Sequence, residues 1–191
     1  MNFSNPKKLI LLGASTGGPG LIESIIRELP KSFDFSFIIA QHMDTLPLKS
    51  FAKRLDRILD LKKSVILVDS DVSVDSGLVY VLSETSKLFM KNSVLHIKPI
   101  GEDSFYHPCI DTLFSSASSL KNIDIEAYLL SGIGSDGAEG LKELKKSGFL
   151  TIAQDENSSI VYGMPKAAVE IGAACRVCSI DEIVRRITGG F

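Results

Sequence analysis

The chain alternates between two hydrophobic rhythms. Short unbroken apolar runs are followed by stretches in which apolar residues return at every third or fourth position. The run at 9–12, Leu-Ile-Leu-Leu, reads as a buried strand, and 19–29 as a helix with Leu21, Ile22, Ile25, Ile26 and Leu29 on one face. The pattern recurs with a strand at 35–41, a helix marked by Leu48, Phe51, Leu55, Ile58 and Leu59, and a strand at 65–68. The middle changes character. Residues 77–82 and 88–97 read as short strands, with Lys91-Asn92-Ser93 as a hairpin turn. The polar stretch 98–106 reads as a long loop. Helical spacing returns after Pro108 at Ile110, Leu113, Phe114 and Ala117. A strand at 127–131 leads to a helix at 137–147 closed by Gly148. A strand at 149–153 precedes helices at 165–171 and 181–187, which are separated by a strand near Arg176.

Continuously apolar strands need burial on both faces, and strand–helix alternation brings them together in parallel. The expected fold is α/β: a doubly wound, mostly parallel sheet with helices on both faces and a β-hairpin insertion. The 191 residues hold no repeat, low-complexity tract or linker, so a single domain over 1–191 is expected. A net charge of −2 gives no reason to expect nucleic acid as a partner. No apolar run approaches the ~20 residues of a membrane span, and residues 1–8 lack a secretory apolar core. A cytoplasmic protein without membrane insertion is expected. Cys175 and Cys178 form a Cys-x-x-Cys pair, but no second pair completes a zinc set, and both read as strand residues. No metal or cofactor is expected.

Three strand ends carry the candidate chemistry. Gly13-Ala14-Ser15-Thr16-Gly17 fits Gly-x-Ser-x-Gly between a strand and a helix, where the turn would hold the Ser15 hydroxyl beside backbone N–H groups. Nucleophile, anion-binding loop and plain turn are all open on this segment alone. A P-loop is excluded, since no Gly-Lys-Ser/Thr follows. His42 follows the strand at 35–41 and would approach Ser15 on the same sheet edge; its plain reading is a loop histidine bonded to backbone. His96 falls in a hairpin strand and His107 beside Pro108, so His42 is the better base. Asp136 follows a third strand through Ser131-Gly132-Ile133-Gly134-Ser135, and its plain reading is a cap for the helix that begins there. Together the three make a Ser–His–Asp set at the edge where open α/β sheets place their sites. The order Ser…His…Asp differs from the α/β-hydrolase order Ser…Asp/Glu…His.

Gly-Ala-Ser-Thr-Gly-Gly at 13–18, Gln-His-Met at 41–43, Ser-Gly-Ile-Gly-Ser-Asp-Gly-Ala at 131–138, Thr-Ile-Ala-Gln-Asp-Glu at 151–156 and Tyr-Gly-Met-Pro at 162–165 occur in this order. In them the chain, from about Leu9 onward, resembles the catalytic domain of the CheB chemotaxis methylesterases. The resemblance implies that Ser15, His42 and Asp136 form the catalytic triad. It implies hydrolysis of glutamyl methyl esters on chemoreceptors to glutamate and methanol, with deamidation of some receptor glutamines. The implied partner is the cytoplasmic domain of a methylated chemoreceptor. Thr16 and the Gly132-Ile133-Gly134 loop become the expected oxyanion donors, Ile133 replacing the family's usual methionine. Asp44-Thr45-Leu46-Pro47 stands where the family has Pro-Pro, and Leu82-Ser83-Glu84 where it has Ala-Pro-Gly. Phe105-Tyr106-His107-Pro108-Cys109-Ile110-Asp111 replaces Arg-His-Arg-Pro-Ser-Val-Asp, so two arginines are missing near the expected receptor-facing rim. Many relatives carry an N-terminal receiver domain; only residues 1–8 precede the first strand here, and no receiver domain is expected. The other function classes are a nucleotide- or phosphate-binding module, which calls for a basic residue at the 13–18 turn, and a catalytically silent chemotaxis adaptor.

Overall fold

The computed structural model describes residues 5–30, 32–59, 65–101 and 105–189. Its strands are β1 (Lys8–Ala14), β2 (Ser36–Gln41), β3 (Val65–Val68), β4 (Val72–Ser73), β5 (Val79–Leu82), β6 (Ser86–Lys91), β7 (Val94–Pro99), β8 (Asp124–Leu129), β9 (Leu150–Gln154) and β10 (Arg176–Cys178). Its helices are α1 (Gly18–Arg27), α2 (Thr45–Leu59), α3 (Ile110–Ala117), α4 (Ala138–Lys146), α5 (Met164–Glu170) and α6 (Ile180–Thr188). Residues 102–104 of the predicted long loop lie outside the described residues.

The apolar runs build a seven-stranded sheet in the order β10-β9-β8-β1-β2-β5-β3. Every pair in it is parallel. Alternation of side chains along each strand splits the core in two. Leu9, Leu11, Ile38 and Ala40 face α3, α4 and α5. Ile10, Leu12, Phe37 and Ile39 face α1, α2 and α6. Both faces of the central strands are thus covered, which is why they read as unbroken apolar runs.

The predicted hairpin forms, with Asn92 and Ser93 at φ 50 and 65 in its turn. It does not join the main sheet. With β4 it makes a separate three-stranded antiparallel sheet in the order β4-β7-β6. Leu88, Leu95 and Ile97 of this sheet pack into the core on the α3 side. Strand β4 escapes the sequence reading because two residues show no period.

The chain order matters more than the layers. From β1 the chain adds β2, β3 and β5 on one side, then returns to place β8, β9 and β10 on the other. The order therefore reverses at β1. A crevice opens outside the carboxyl ends of the strands at such a reversal.

Candidate active site

Ser15 follows the last residue of β1, and the β1–β2 register pairs Ala14 with Gln41, so His42 leaves the sheet one step later. Two backbone bonds fix these exits. The His42 N–H donates to the Ala14 carbonyl at 2.9 Å, and the Ser15 N–H donates to the Ser131 carbonyl beyond β8 at 3.0 Å. The turn then enters α1 through Gly17, at φ 85, a conformation that glycine adopts without strain. The loop after β8 lies directly against the serine. A Cβ added to Gly132 would stand 2.7 Å from the Ser15 Cβ and 2.3 Å from the Met164 sulfur, so only glycine fits.

Asp136 is 2% exposed. His42 donates through Nε2 to its Oδ2 at 2.7 Å. The same carboxylate accepts from the Ile110 N–H at 2.8 Å and the Asp111 N–H at 2.9 Å, with the Cys109 thiol at 3.5 Å. Burial pushes the Asp136 carboxyl up. The bonds from His42 and from the N–H groups of Ile110 and Asp111 outweigh it and hold the group below the ordinary carboxylate range. A carboxylate only accepts, so Nε2 carries the imidazole proton and Nδ1 keeps the free lone pair.

The capping expectation for Asp136 needs correcting. Gly137, at φ 89, is the N-cap of the helix that follows, and no side chain caps it there. Asp136 instead binds the first N–H groups of α3, a helix from earlier in the chain, whose positive end favours a negative charge. The exchange is mutual. Asp111, in the first turn of α3, accepts from the Gly140 N–H of α4 at 2.7 Å. Burial drives the Asp111 carboxyl up to about 6, and the Asp136 charge adds to the rise.

Two residues the sequence reading passed over complete the site. The Tyr106 ring stacks on the His42 imidazole, with centroids 5.1 Å apart and planes 11° from parallel. Gln41 lies beneath the turn, its amide nitrogen donating to the Ser15 carbonyl at 2.9 Å and to the His42 carbonyl at 3.0 Å. The Gln-His-Met motif contained the only sequence signal for Gln41, while no local pattern links Tyr106 to His42.

Ile133 is 63% exposed and follows Gly132, the glycine packed on Ser15. Thr16 is exposed at the start of the turn. Among the described residues, neither the Thr16 nor the Ile133 N–H is engaged by a backbone or side-chain acceptor. Of the remaining histidines, His96 bonds Asp71 at 2.6 Å at the antiparallel sheet, while His107 follows Tyr106 at the edge of the site, its side chain exposed and its carbonyl accepting from the Met43 N–H at 3.3 Å. Lys8 pairs with Glu126 at 2.8 Å at the start of β1, the far end of the strand from the 13–18 turn. The basic residue that a phosphate-binding turn calls for is therefore not supplied by Lys8. Cys178 is the partly buried last residue of β10, but Cys175 is exposed and precedes that strand, so the reading of both as strand residues holds for Cys178 alone. Among the described residues, no group of three or more His, Cys, Asp and Glu could hold a metal ion. No helix among them is long and apolar enough to cross a membrane.

The fold and sequence are shared with known proteins. The chain is 38% identical over 182 residues to protein-glutamate methylesterase/protein-glutamine glutaminase 1 of Pseudomonas fluorescens, covering 95% of this chain and 54% of that protein. A protein of the same name from Carboxydothermus hydrogenoformans is 37% identical over 193 residues, covering 98% of this chain and 56% of the relative. The chain thus spans about half the length of the curated relatives it matches. The crystal structure of the Thermotoga maritima CheB methylesterase catalytic domain superposes with a TM-score of 0.86 at 29% identity, covering 97% of this chain and 98% of that one. The profile of the CheB methylesterase family matches residues 10–187, from within β1 to within α6. The fold of this chain is that of the Thermotoga maritima catalytic domain, and with the family profile covering residues 10–187 the chain belongs to the CheB methylesterase family.

Proposed function

We propose that this chain is a serine esterase that hydrolyses glutamyl methyl esters on the cytoplasmic domain of methylated chemoreceptors, with Ser15, His42 and Asp136 as its catalytic triad. The observation that carries the reading is the 2.7 Å bond from His42 to a buried Asp136 carboxylate, at the sheet edge where Ser15 leaves β1. The names of the relatives support a protein glutamyl methyl ester as the substrate.

In this mechanism the Ser15 hydroxyl attacks the ester carbonyl as His42 takes its proton through Nδ1. Asp136 holds the imidazole and stabilises its charged form. Negative charge collects on the former carbonyl oxygen, where the Thr16 and Ile133 N–H groups would receive it. Collapse breaks the bond to the methoxy group, which leaves as methanol with the proton from His42. Water, deprotonated by His42, then attacks the glutamyl–serine ester and releases glutamate and free Ser15. A glutamine follows the same route, with ammonia leaving in place of methanol. The backbone N–H of Ile133 does the work in this scheme, so isoleucine serves where relatives carry methionine.

The test is methanol release from methylated receptor. Ser15→Ala should lower kcat on the order of 10⁶-fold. Retention of most activity would remove Ser15 as the nucleophile.

A further inference from the structure

Gln41 sits where the strand pattern calls for an apolar side chain. It is the last residue of β2, on the same face as Phe37 and Ile39, which belong to the core under α1 and α2. It is 1% exposed. Its amide is only half satisfied. Both N–H groups are used, on the Ser15 and His42 carbonyls. The amide oxygen is buried without a hydrogen-bond partner among the described residues. A buried unpaired acceptor costs stability, and its presence calls for an explanation.

The surroundings are built to admit this amide. A Cβ on Gly18 would stand 2.2 Å from the Gln41 oxygen and 2.6 Å from the Ala14 Cβ. The last glycine of the 13–18 motif therefore makes room for the glutamine of the 41–43 motif. The Gly18 N–H also donates to the Ser15 carbonyl at 2.9 Å, so that carbonyl is held by two donors. One side chain thus ties the backbone of the serine turn to the backbone of the histidine turn.

We propose that Gln41 is a positioning residue for the reaction: its amide nitrogen clamps the Ser15 and His42 carbonyls together, so that nucleophile and base keep one relative placement. The role rests on the esterase reading above. Among the described residues, the Ala14–His42 backbone bond is the one other hydrogen bond that joins the two turns across the β1–β2 exit. A hydrophobic residue of the same length would fill the volume, remove the unpaired oxygen and lose the clamp.

The experiment compares wild type, Gln41→Met and Gln41→Asn for methanol release from methylated receptor. Methionine keeps the length without the donors; asparagine keeps the donors without the reach. Both variants should lose about 10–100-fold in kcat while KM stays within about twofold, because misplacement of reacting groups taxes the chemical step rather than binding. Wild-type kcat in a folded Gln41→Met protein would overturn the proposal. A second measurement does not depend on the variants folding. In isotope-labelled wild type, scalar couplings across the hydrogen bonds should link the Gln41 side-chain nitrogen to the carbonyl carbons of Ser15 and His42, and their absence would also overturn it. Wild type that releases no methanol would instead defeat the esterase reading itself, and the clamp's role with it.

Discussion

Asp136 and Asp111 share a buried site where α3 meets α4, and burial pushes both carboxyls upward. They end on opposite sides of the ordinary value. Asp136 gains the His42 bond and two helix N–H groups and falls below it, whereas Asp111 rises from 3.8 to about 6. The folded protein therefore holds a proton on Asp111 at a pH where the unfolded chain has released it. That contribution is fully present below pH 3.8 and is lost as pH rises from there through about 6. Asp136 works the other way, adding stability at neutral pH that is lost as the pH falls through its lowered value. Asp111→Asn keeps an acceptor for Gly140 and removes the charge. It should raise Tm by about 2–4 °C at pH 8 and leave it unchanged at about pH 3. Thermal melts at the two pH values check this, and a lower Tm at pH 8 would contradict it. At this scale the sequence was only partly legible. The candidates Ser15, His42 and Asp136 could be picked out because each follows its own apolar run. That Asp136 caps a distant helix could not, because capping patterns in sequence are local and this contact is made across the fold.

At the scale of elements, most of the architecture was written in periodicity, and the differences lie where a period is too short or a partner too far. Helix α1 starts at Gly18 and ends at Arg27, close to the predicted 19–29. The hairpin was legible from its turn, but its separation into a second sheet depends on β4, which two residues cannot announce. The α3–α4 contact shows a further limit. Gly140 lies inside a helix, where alanine normally gains about 1 kcal/mol. Here an added Cβ would stand 2.6 Å from the Asp111 carbonyl oxygen and 2.8 Å from the Phe114 Cβ. Backbone on the facing helix cannot yield as a flexible side chain would. Gly140→Ala should therefore destabilise the fold by about 1–3 kcal/mol, against the propensity rule. Denaturant unfolding measures it, and a stabilised variant would show that the two helices separate readily.

For the whole molecule, the ends of the sheet divide the labour. The carboxyl edge carries the candidate site. Toward the amino edge, Glu126 on β8 is 6% exposed and accepts from Lys8 of β1 at 2.8 Å and Arg186 of α6 at 3.1 Å. Tyr128 donates to the same carboxylate. Burial pushes the Glu126 carboxyl up, but the bonds from Lys8 and Tyr128 hold it below the ordinary value. Glu126→Ala should cost about 1–3 kcal/mol, less than breaking a fully buried pair because Lys8 and Arg186 can regain water. Activity per folded molecule should stay at the wild-type level, since nothing at the reversal of strand order is touched. Unfolding curves and methanol release, run on the same sample, separate the two effects.

The double duty of Asp136 has a consequence for how such a protein would decay. Among the described residues, removing the Ser15 hydroxyl takes a hydrogen-bond partner from no helix end. Removing the Asp136 carboxylate strips two N–H partners from α3 as well as the brace on His42. Selection for folding alone would keep the aspartate; on the proposed esterase reading, the serine is kept by selection for hydrolysis. A duplicated gene freed from catalysis would be expected to shed its serine early and its aspartate late, so an intact aspartate in a descendant says little about whether it still works as an esterase.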